Sequence, residues 1–200
     1  AGAGCMKASF EAGKVVTLPG VNTIADGTAV KTPGETIFPY IQKNLDEILF
    51  VEDDELVVAF LDMVENHKIV VENSGLLTVA ALKHLNVKGK RIVSILSGGN
   101  MDVITMSSVV QQGLILRDRI FTVSILLPDK PGELSKVADT IAKEQGNVIK
   151  LEHNQFVSIN RNAAVELRIT MECFGTEHKR QIIKALEKAQ YKPKQVRTSL

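Results

Sequence analysis

Ala163, Val165, Leu167, Ile169, Met171 and Cys173 alternate without a break with Glu166, Arg168, Thr170 and Glu172. Successive side chains of a strand point to opposite faces, so this run reads as a strand with one dry and one wet side. A dry face must be covered, and the flanking residues supply the cover. Ile120–Leu127 is a second strand candidate, with Phe121, Val123, Ile125 and Leu127 on one face. Asp129-Lys130-Pro131-Gly132 turns the chain, and Leu134, Val137, Ala138 and Ile141 follow at the spacing of one helical stripe. Gly146-Asn147 is expected to stop that helix through a residue tolerant of positive φ. Val148–Val157 reads as a strand made less regular by the polar residues His153 to Gln155, and Asn160–Asn162 as a turn. Thr176 is expected to cap a helix reaching Gln190, with Ile182, Ile183 and Leu186 inward, before a last strand at Tyr191–Val196. The order is β-α-β-β-α-β in about 80 residues, a ferredoxin-like split βαβ unit.

The residues before it are organised differently. Ile48–Val51 and Ile69–Val71 are short apolar runs, and Arg91–Leu96 is a longer β-rich one. Helical patterns lie between and after them. Asp53 or Asp54 is expected to cap a helix carrying Leu56, Phe60, Leu61 and Val64, and Ser74–Leu85 and Val103–Gln112 read as further helices. Short strands between helices predict an α/β layer with a parallel sheet. Charge divides the chain at a similar place: residues 119–200 carry 14 basic and 9 acidic side chains, the preceding residues 10 and 14. A boundary near residue 118 follows, without a Pro/Gly/Ser-rich linker. The whole-chain charge of +1 gives no reason to expect nucleic acid or a membrane surface as partner. No apolar run approaches the ~20 residues of a membrane helix. Two cysteines, Cys5 and Cys173, cannot staple a fold, so a reducing cytoplasm is the expected setting, with Cys173 an inert core thiol.

Ser97-Gly98-Gly99-Asn100 follows the β-rich run, at the carboxyl end of a strand candidate where open α/β sheets place their ligands. The glycines let backbone approach a ligand closely, and Ser97 presents a hydroxyl. A strand-to-helix turn would use the same four residues for their φ/ψ alone. The motif gains weight from Thr23-Ile24-Ala25-Asp26-Gly27 and Val71-Glu72-Asn73-Ser74-Gly75, spaced as successive loops on one rim.

The ordered set Ile24-Ala25-Asp26-Gly27, Glu72-Asn73-Ser74-Gly75 and Ser97-Gly98-Gly99-Asn100 resembles the C-terminal half of the threonine and serine dehydratases. These are type II pyridoxal-phosphate enzymes of tryptophan-synthase-β-like fold, a group that includes serine racemase. Asp129-Lys130-Pro131-Gly132-Glu133-Leu134 and Gly146-Asn147-Val148 are similar to the pattern of ACT regulatory domains, which points within that group to threonine dehydratases (threonine ammonia-lyases). The resemblance implies part of a catalytic domain over residues 1–117 and an ACT domain over 118–200. It implies β-elimination of L-threonine to 2-oxobutanoate and ammonia with pyridoxal phosphate as cofactor, in amino-acid metabolism such as isoleucine biosynthesis. Within the site it implies that Ser97 faces the pyridine nitrogen, that Gly27 and Gly98 bring backbone to the cofactor, and that Glu72 places a carboxylate near the ring. Loop support is the other reading of Glu72, and Asn100 is expected to hold its turn.

Two parts that the family requires are missing. Lys7 stands in Cys5-Met6-Lys7-Ala8-Ser9 rather than in a Ser-Phe-Lys-like motif that would supply the Schiff-base lysine, and the only Gly-Gly pair, 98–99, is no tetraglycine phosphate loop. With Ala1 at its start, the chain is expected to be the C-terminal portion of such an enzyme. It would then have no catalytic residue of its own, weak or no cofactor binding, and no activity alone. A serine dehydratase or racemase relative, and a non-catalytic amino-acid-binding oligomerisation module, are the alternative readings. No metal is expected: Cys5 occupies the position of a carboxylate ligand in metal-binding relatives, and His67, His84, His153 and His178 lack ligand spacing. The ACT resemblance further implies a regulatory amino acid such as isoleucine or valine bound between paired subunits. Asp129, Gly132 and Leu134 would meet it at a helix N-terminus, and Asn147 and Val148 through backbone groups. A homodimer through this domain, and a higher oligomer of the parent enzyme, follow from the same resemblance.

Overall fold

The computed structural model describes residues 1–155 and 165–199. The chain divides into two compact units, Ala1–Gly113 and Leu114–Leu200.

In the first unit the helices are α1 (Cys5–Ala12), α2 (Phe38–Asn44), α3 (Asp53–Asp62), the single turn α4 (Leu77–Ala80) and α5 (Val103–Leu116), whose last residues belong to the second unit. Leu56, Val57 and Phe60 of α3 pack with Val51, Val71, Leu76, Ala80 and Val109, and Val64 is half-buried against them. The stretch expected as one helix over Ser74–Leu85 is three short pieces, with 3-10 turns at Asn73–Leu76 and Ala81–His84 on either side of α4. Helix α3 is capped by Glu52 and not by Asp53 or Asp54. The Glu52 N–H donates to the Glu55 carboxylate at 2.9 Å, while Asp53 turns away to bond residues far back in the chain.

The expected parallel sheet is absent from the described residues of this unit. Ile48–Val51, Ile69–Val71 and Arg91–Leu96 have no regular secondary structure and belong to no ladder. The physical reason is that a strand exists only through a hydrogen-bonding neighbour, and β propensity cannot supply one. Arg91–Leu96 therefore remains exposed despite its composition, with Val93 at 90% and Ile95 at 73% of full exposure.

The second unit contains β1 (Ile120–Leu127), α6 (Glu133–Lys143), β2 (Asn147–Asn154), β3 (Val165–Glu172), α7 (Thr176–Lys188) and β4 (Lys194–Val196). The sheet order is β2-β3-β1-β4 with every pair antiparallel, the ferredoxin-like arrangement. Register puts Val123 opposite Ile169 and Ile125 opposite Leu167, so the dry residues of the two central strands share one face. Val137 and Ile141 of α6 and Ile182 and Leu186 of α7 cover that face and are fully buried. On the other face the Thr122 and Thr170 hydroxyls meet at 2.9 Å, and Ser124 donates to Glu166 at 2.7 Å.

Several local expectations change. Leu134 and Ala138 are exposed, because only the Val137–Ile141 seam of α6 reaches the sheet. The positive φ after α6 belongs to Gln145 (+63°), not to Gly146 or Asn147. Gly146 serves close packing instead: a Cβ there would sit 2.8 Å from Ile141 Cγ2 and 3.0 Å from Ile182 Cδ1. Gly175 is the N-cap residue of α7, and the Thr176 hydroxyl goes to Asp118. Strand β2 ends at Asn154, β4 spans three residues, and the rest of the expected Val148–Val157 strand beyond Gln155, the Asn160–Asn162 turn and Ala163 lie outside the described residues.

The entrance to β1 is held by charge. Asp118, at φ +54°, accepts from Lys179 Nζ at 2.7 Å and from the Thr176 hydroxyl at 2.8 Å. Its carbonyl accepts the Cys173 thiol at 2.9 Å. Burial pushes the Cys173 thiol above its ordinary value, as suits a core group rather than a nucleophile. Burial also pushes the Asp118 carboxyl up, but hydrogen bonds from Lys179 and Thr176 and the nearby positive charges outweigh it and leave it below the usual range. A carboxyl with a depressed folded value stabilises the fold fully above about pH 4 and loses that contribution as pH drops through the folded value. Lys179→Met leaves Asp118 partly buried without its cation, and is expected to flatten or invert the acid limb of stability. Urea denaturation between about pH 2 and 6 measures it.

Candidate active site

Three loops meet in the first unit. Asp53, at the start of α3, accepts from the Thr23 hydroxyl at 2.6 Å and from the Ile24 N–H at 3.0 Å, which ties down the first loop. Asn73 Nδ2, from the second loop, donates to the Ile24 carbonyl at 3.0 Å. Glu72 links the second loop to the third: its N–H donates to the Gly98 carbonyl at 3.4 Å, and its carboxylate accepts the Asn100 N–H at 3.3 Å.

The approach is close enough to exclude side chains. A Cβ on Gly75 would lie 1.9 Å from the Ser97 carbonyl oxygen, and one on Gly27 would lie 2.8 Å from Ser74 Oγ. Gly98 has φ +78°, and a Cβ there would lie 2.0 Å from Glu72 Cδ. These glycines are where three backbones stack, which is the physical content of the motif spacing.

The convergence borders a cavity of about 620 Å³ whose lining includes Ile24, Asp26, Glu72, Asn73, Asn100 and Asp102. It presents carboxylates, neutral polar groups and apolar side chains such as Val57 and Met101, with no lysine or arginine on its wall among the described residues. Asp102 caps α5, accepting the Ile104 and Thr105 N–H groups at 2.9 Å each, and the Thr105 hydroxyl bonds it as well. Those bonds, led by the one from the Thr105 hydroxyl, hold the Asp102 carboxyl below its usual range. Of the four residues expected to meet cofactor, only Glu72 lines this cavity. Ser97, Gly98 and Gly27 are exposed beside it.

These residues fit one edge of a pyridoxal ring. Ser97 presents an exposed hydroxyl, a Cβ on Gly99 would meet nothing within 4 Å, and Gly98 brings bare backbone alongside. They do not include a phosphate cradle or a lysine. No group of three or more His, Cys, Asp or Glu residues is placed to hold a metal among the described residues. The sequence reading missed Asp53 and Asn73 as loop holders and Asp102 as a cap. Asp102 had a local signal, being followed at once by a helical pattern; the other two act across 29 and 49 residues and had none.

In the second unit, Asp129, Gly132 and Leu134 line a small cavity with His153 at the start of α6. Asn147 and Val148 do not line it: Asn147 Nδ2 bonds Glu172 at 3.2 Å, and Val148 is exposed on β2. The expected effector residues are therefore not gathered into one cavity of a single subunit.

Residues 1–98 match the family of pyridoxal-phosphate dependent enzymes. The matched stretch takes in the first two loops of the cluster and the start of the third. The chain's similarities are more specific than the family. It is 36% identical over 185 residues to the L-threonine ammonia-lyase of Geobacter sulfurreducens, covering 92% of this chain and 46% of that protein. It is 32% identical over 182 residues to the L-threonine ammonia-lyase of Thermotoga maritima, covering 90% of this chain and 45% of that one. Among solved structures, the processed form of threonine deaminase isoform 2 from Solanum lycopersicum aligns at 31% identity with a TM-score of 0.53, over 57% of this chain and 32% of that chain. The chain thus spans about half the length of the curated relatives it matches.

Gly98 and Gly99 make a matched pair for mutation. Gly98→Ala is expected to lose about 1–2 kcal/mol to the left-handed backbone alone, and to swing Glu72 off the Asn100 N–H. Gly99→Ala has open space and is expected to stay within about 0.5 kcal/mol of the parent chain. Denaturant unfolding of the two variants measures the difference.

Proposed function

We propose that this chain forms part of a pyridoxal-phosphate-dependent L-threonine ammonia-lyase, and that its second unit is an ACT-type regulatory domain. The observation that carries the first statement is the meeting of three loops, 23–27, 72–75 and 97–100, in a chain similar over nine-tenths of its length to proteins named L-threonine ammonia-lyase. The net reaction converts threonine to 2-oxobutanoate and ammonia: the α-hydrogen and the β-hydroxyl leave as water, and hydrolysis then returns a water and releases ammonia. Bound pyridoxal phosphate supplies the electron sink for negative charge at the substrate α-carbon.

The chain's own residues hold one edge of that cofactor. Ser97 offers the ring nitrogen a neutral hydroxyl, which tempers the sink compared with a carboxylate. Gly98 and Gly27, which carry no side chain where loop 72–75 approaches, would let backbone hold the ring. Glu72, held by the Asn100 N–H, keeps a carboxylate beside Gly98. The lysine and the phosphate loop come from outside these residues.

In the complete enzyme loaded with pyridoxal phosphate, L-threonine is expected to yield 2-oxobutanoate and ammonia in equal amounts, while residues 1–200 alone yield neither. Absence of 2-oxobutanoate from the complete enzyme overturns the assignment, and faster turnover of L-serine moves it to the serine branch. Coupled reduction of the oxo acid follows both.

The regulatory reading rests on the ferredoxin-like unit and on the character of its edge. Strand β2 is an edge strand, and its Val148, Ile149 and Leu151 are 36–43% exposed. An apolar edge favours pairing with a second copy. Paired subunits would bring Asn147 and Val148 of one copy toward the α6 N-terminus of another, where a helix end attracts a carboxylate. Isothermal titration of the chain with isoleucine, valine, threonine and serine is expected to show heat for at least one; none for all four leaves a pairing module without an effector. Coupling to the catalytic unit would be worth about 1–3 kcal/mol.

A further inference from the structure

We propose that Asp53 is a positioning residue of the cofactor site, a latch that sets where the Gly27 backbone stands. The proposal rests on the cofactor reading of these loops. Asp53 is the first residue of α3 and half-buried, yet its carboxylate does not serve its own helix as the cap. Both oxygens reach back about thirty residues, one to the Thr23 hydroxyl at 2.6 Å and one to the Ile24 N–H at 3.0 Å. The Thr23 hydroxyl then accepts the Ala25 N–H at 3.1 Å, so the latch continues into the chain that leads to Gly27.

A second tie acts on the same residue from the opposite polarity. The Ile24 carbonyl accepts from Asn73 Nδ2 while the Ile24 N–H donates to Asp53, so this peptide is clamped between α3 and the second loop. Gly27 then stands against Ser74 Oγ, with Glu72 Oε1 3.7 Å from where its Cβ would be. The approach to Ser74 Oγ, 2.8 Å from that Cβ position, leaves no room for a side chain at residue 27. Displacement of the first loop would open the Gly27–Ser74 contact and loosen Glu72, and a 1 Å misplacement at a site can cost a hundredfold in rate.

The test uses the complete enzyme with pyridoxal phosphate, and the cofactor-free chain for geometry. Asp53→Ala is expected to weaken cofactor binding about tenfold, read from the absorbance of the bound form, and to speed amide exchange at Ile24. Asp53→Asn keeps an acceptor for the Ile24 N–H and an amide that can donate to Thr23, and is expected to recover to within about threefold of the parent. A role confined to helix stability predicts otherwise: a lowered melting temperature with cofactor affinity and KM unchanged in Asp53→Ala, which overturns the proposal. If Asp53→Ala does not fold, Thr23→Val removes the hydroxyl's two bonds, to Asp53 and from the Ala25 N–H, and leaves the Asp53 side chain on α3 in place. A loss of cofactor affinity in that variant supports the latch, and parent-like affinity overturns it. Should the wild-type complete enzyme take up no pyridoxal phosphate, the cofactor reading is lost, and Ile24 exchange in Asp53→Ala still separates a latch from its absence.

Discussion

Close contact between loop backbones organises the first unit. The Gly75 α-carbon lies so near the Ser97 carbonyl, and the Gly98 α-carbon so near the Glu72 carboxylate, that neither position has room for one more carbon atom. Backbone at that distance is useful only if something holds it there. The hydrogen bonds from Asp53, Asn73 and Glu72 do so, each reaching across tens of residues of sequence. What results is a rim with exposed Ser97 and bare peptide at Gly98, next to a cavity whose wall carries carboxylates and, among the described residues, no lysine or arginine. Under the proposed function such a rim would position a ring and tune its nitrogen, and among the described residues no lysine lines the cavity beside it.

The second unit is built on a different principle. Its stability comes from burying a continuous apolar face, with central strands in register and two helices laid over them. Polar groups are confined to the other face and to the corner where β1 begins. There Asp118 combines a left-handed backbone with an ion pair to a lysine that is only 9% exposed. A buried charge pair contributes little net stability compared with an apolar substitute, but breaking it is costly. Its value in this corner is geometric: it joins the first turn of α7 to a residue two before the start of β1.

Legibility from sequence differed between the units for a physical reason. The alternation at Val165–Cys173 and the helical stripes marked by Val137–Ile141 and Ile182–Leu186 are local patterns with periods of two and 3.6, and the elements appear where those periods place them. Periodicity reports which face is apolar, not how wide a neighbour will cover it, and so Leu134 and Ala138 read as buried although they are exposed. Arg91–Leu96 has the composition of a strand and no neighbour among the described residues to make it one. In the site, the glycine-bearing loops were visible as motifs, because a missing Cβ leaves a mark in the sequence. Asp53 left none, since an acidic residue at a helix start ordinarily signals only a cap.

The amino-acid order thus determined the succession of elements in the second unit, helices α3 and α5 of the first, and the three loop motifs. All of these follow from chemistry acting over a few residues or from motif content that survives without coordinates. Tertiary structure alone decided which oxygen holds which loop, which backbone N–H the Glu72 carboxylate accepts, and whether an apolar run becomes a strand. Those outcomes depend on groups brought together from 28 to 61 residues apart, and such distances carry no periodic trace along the chain.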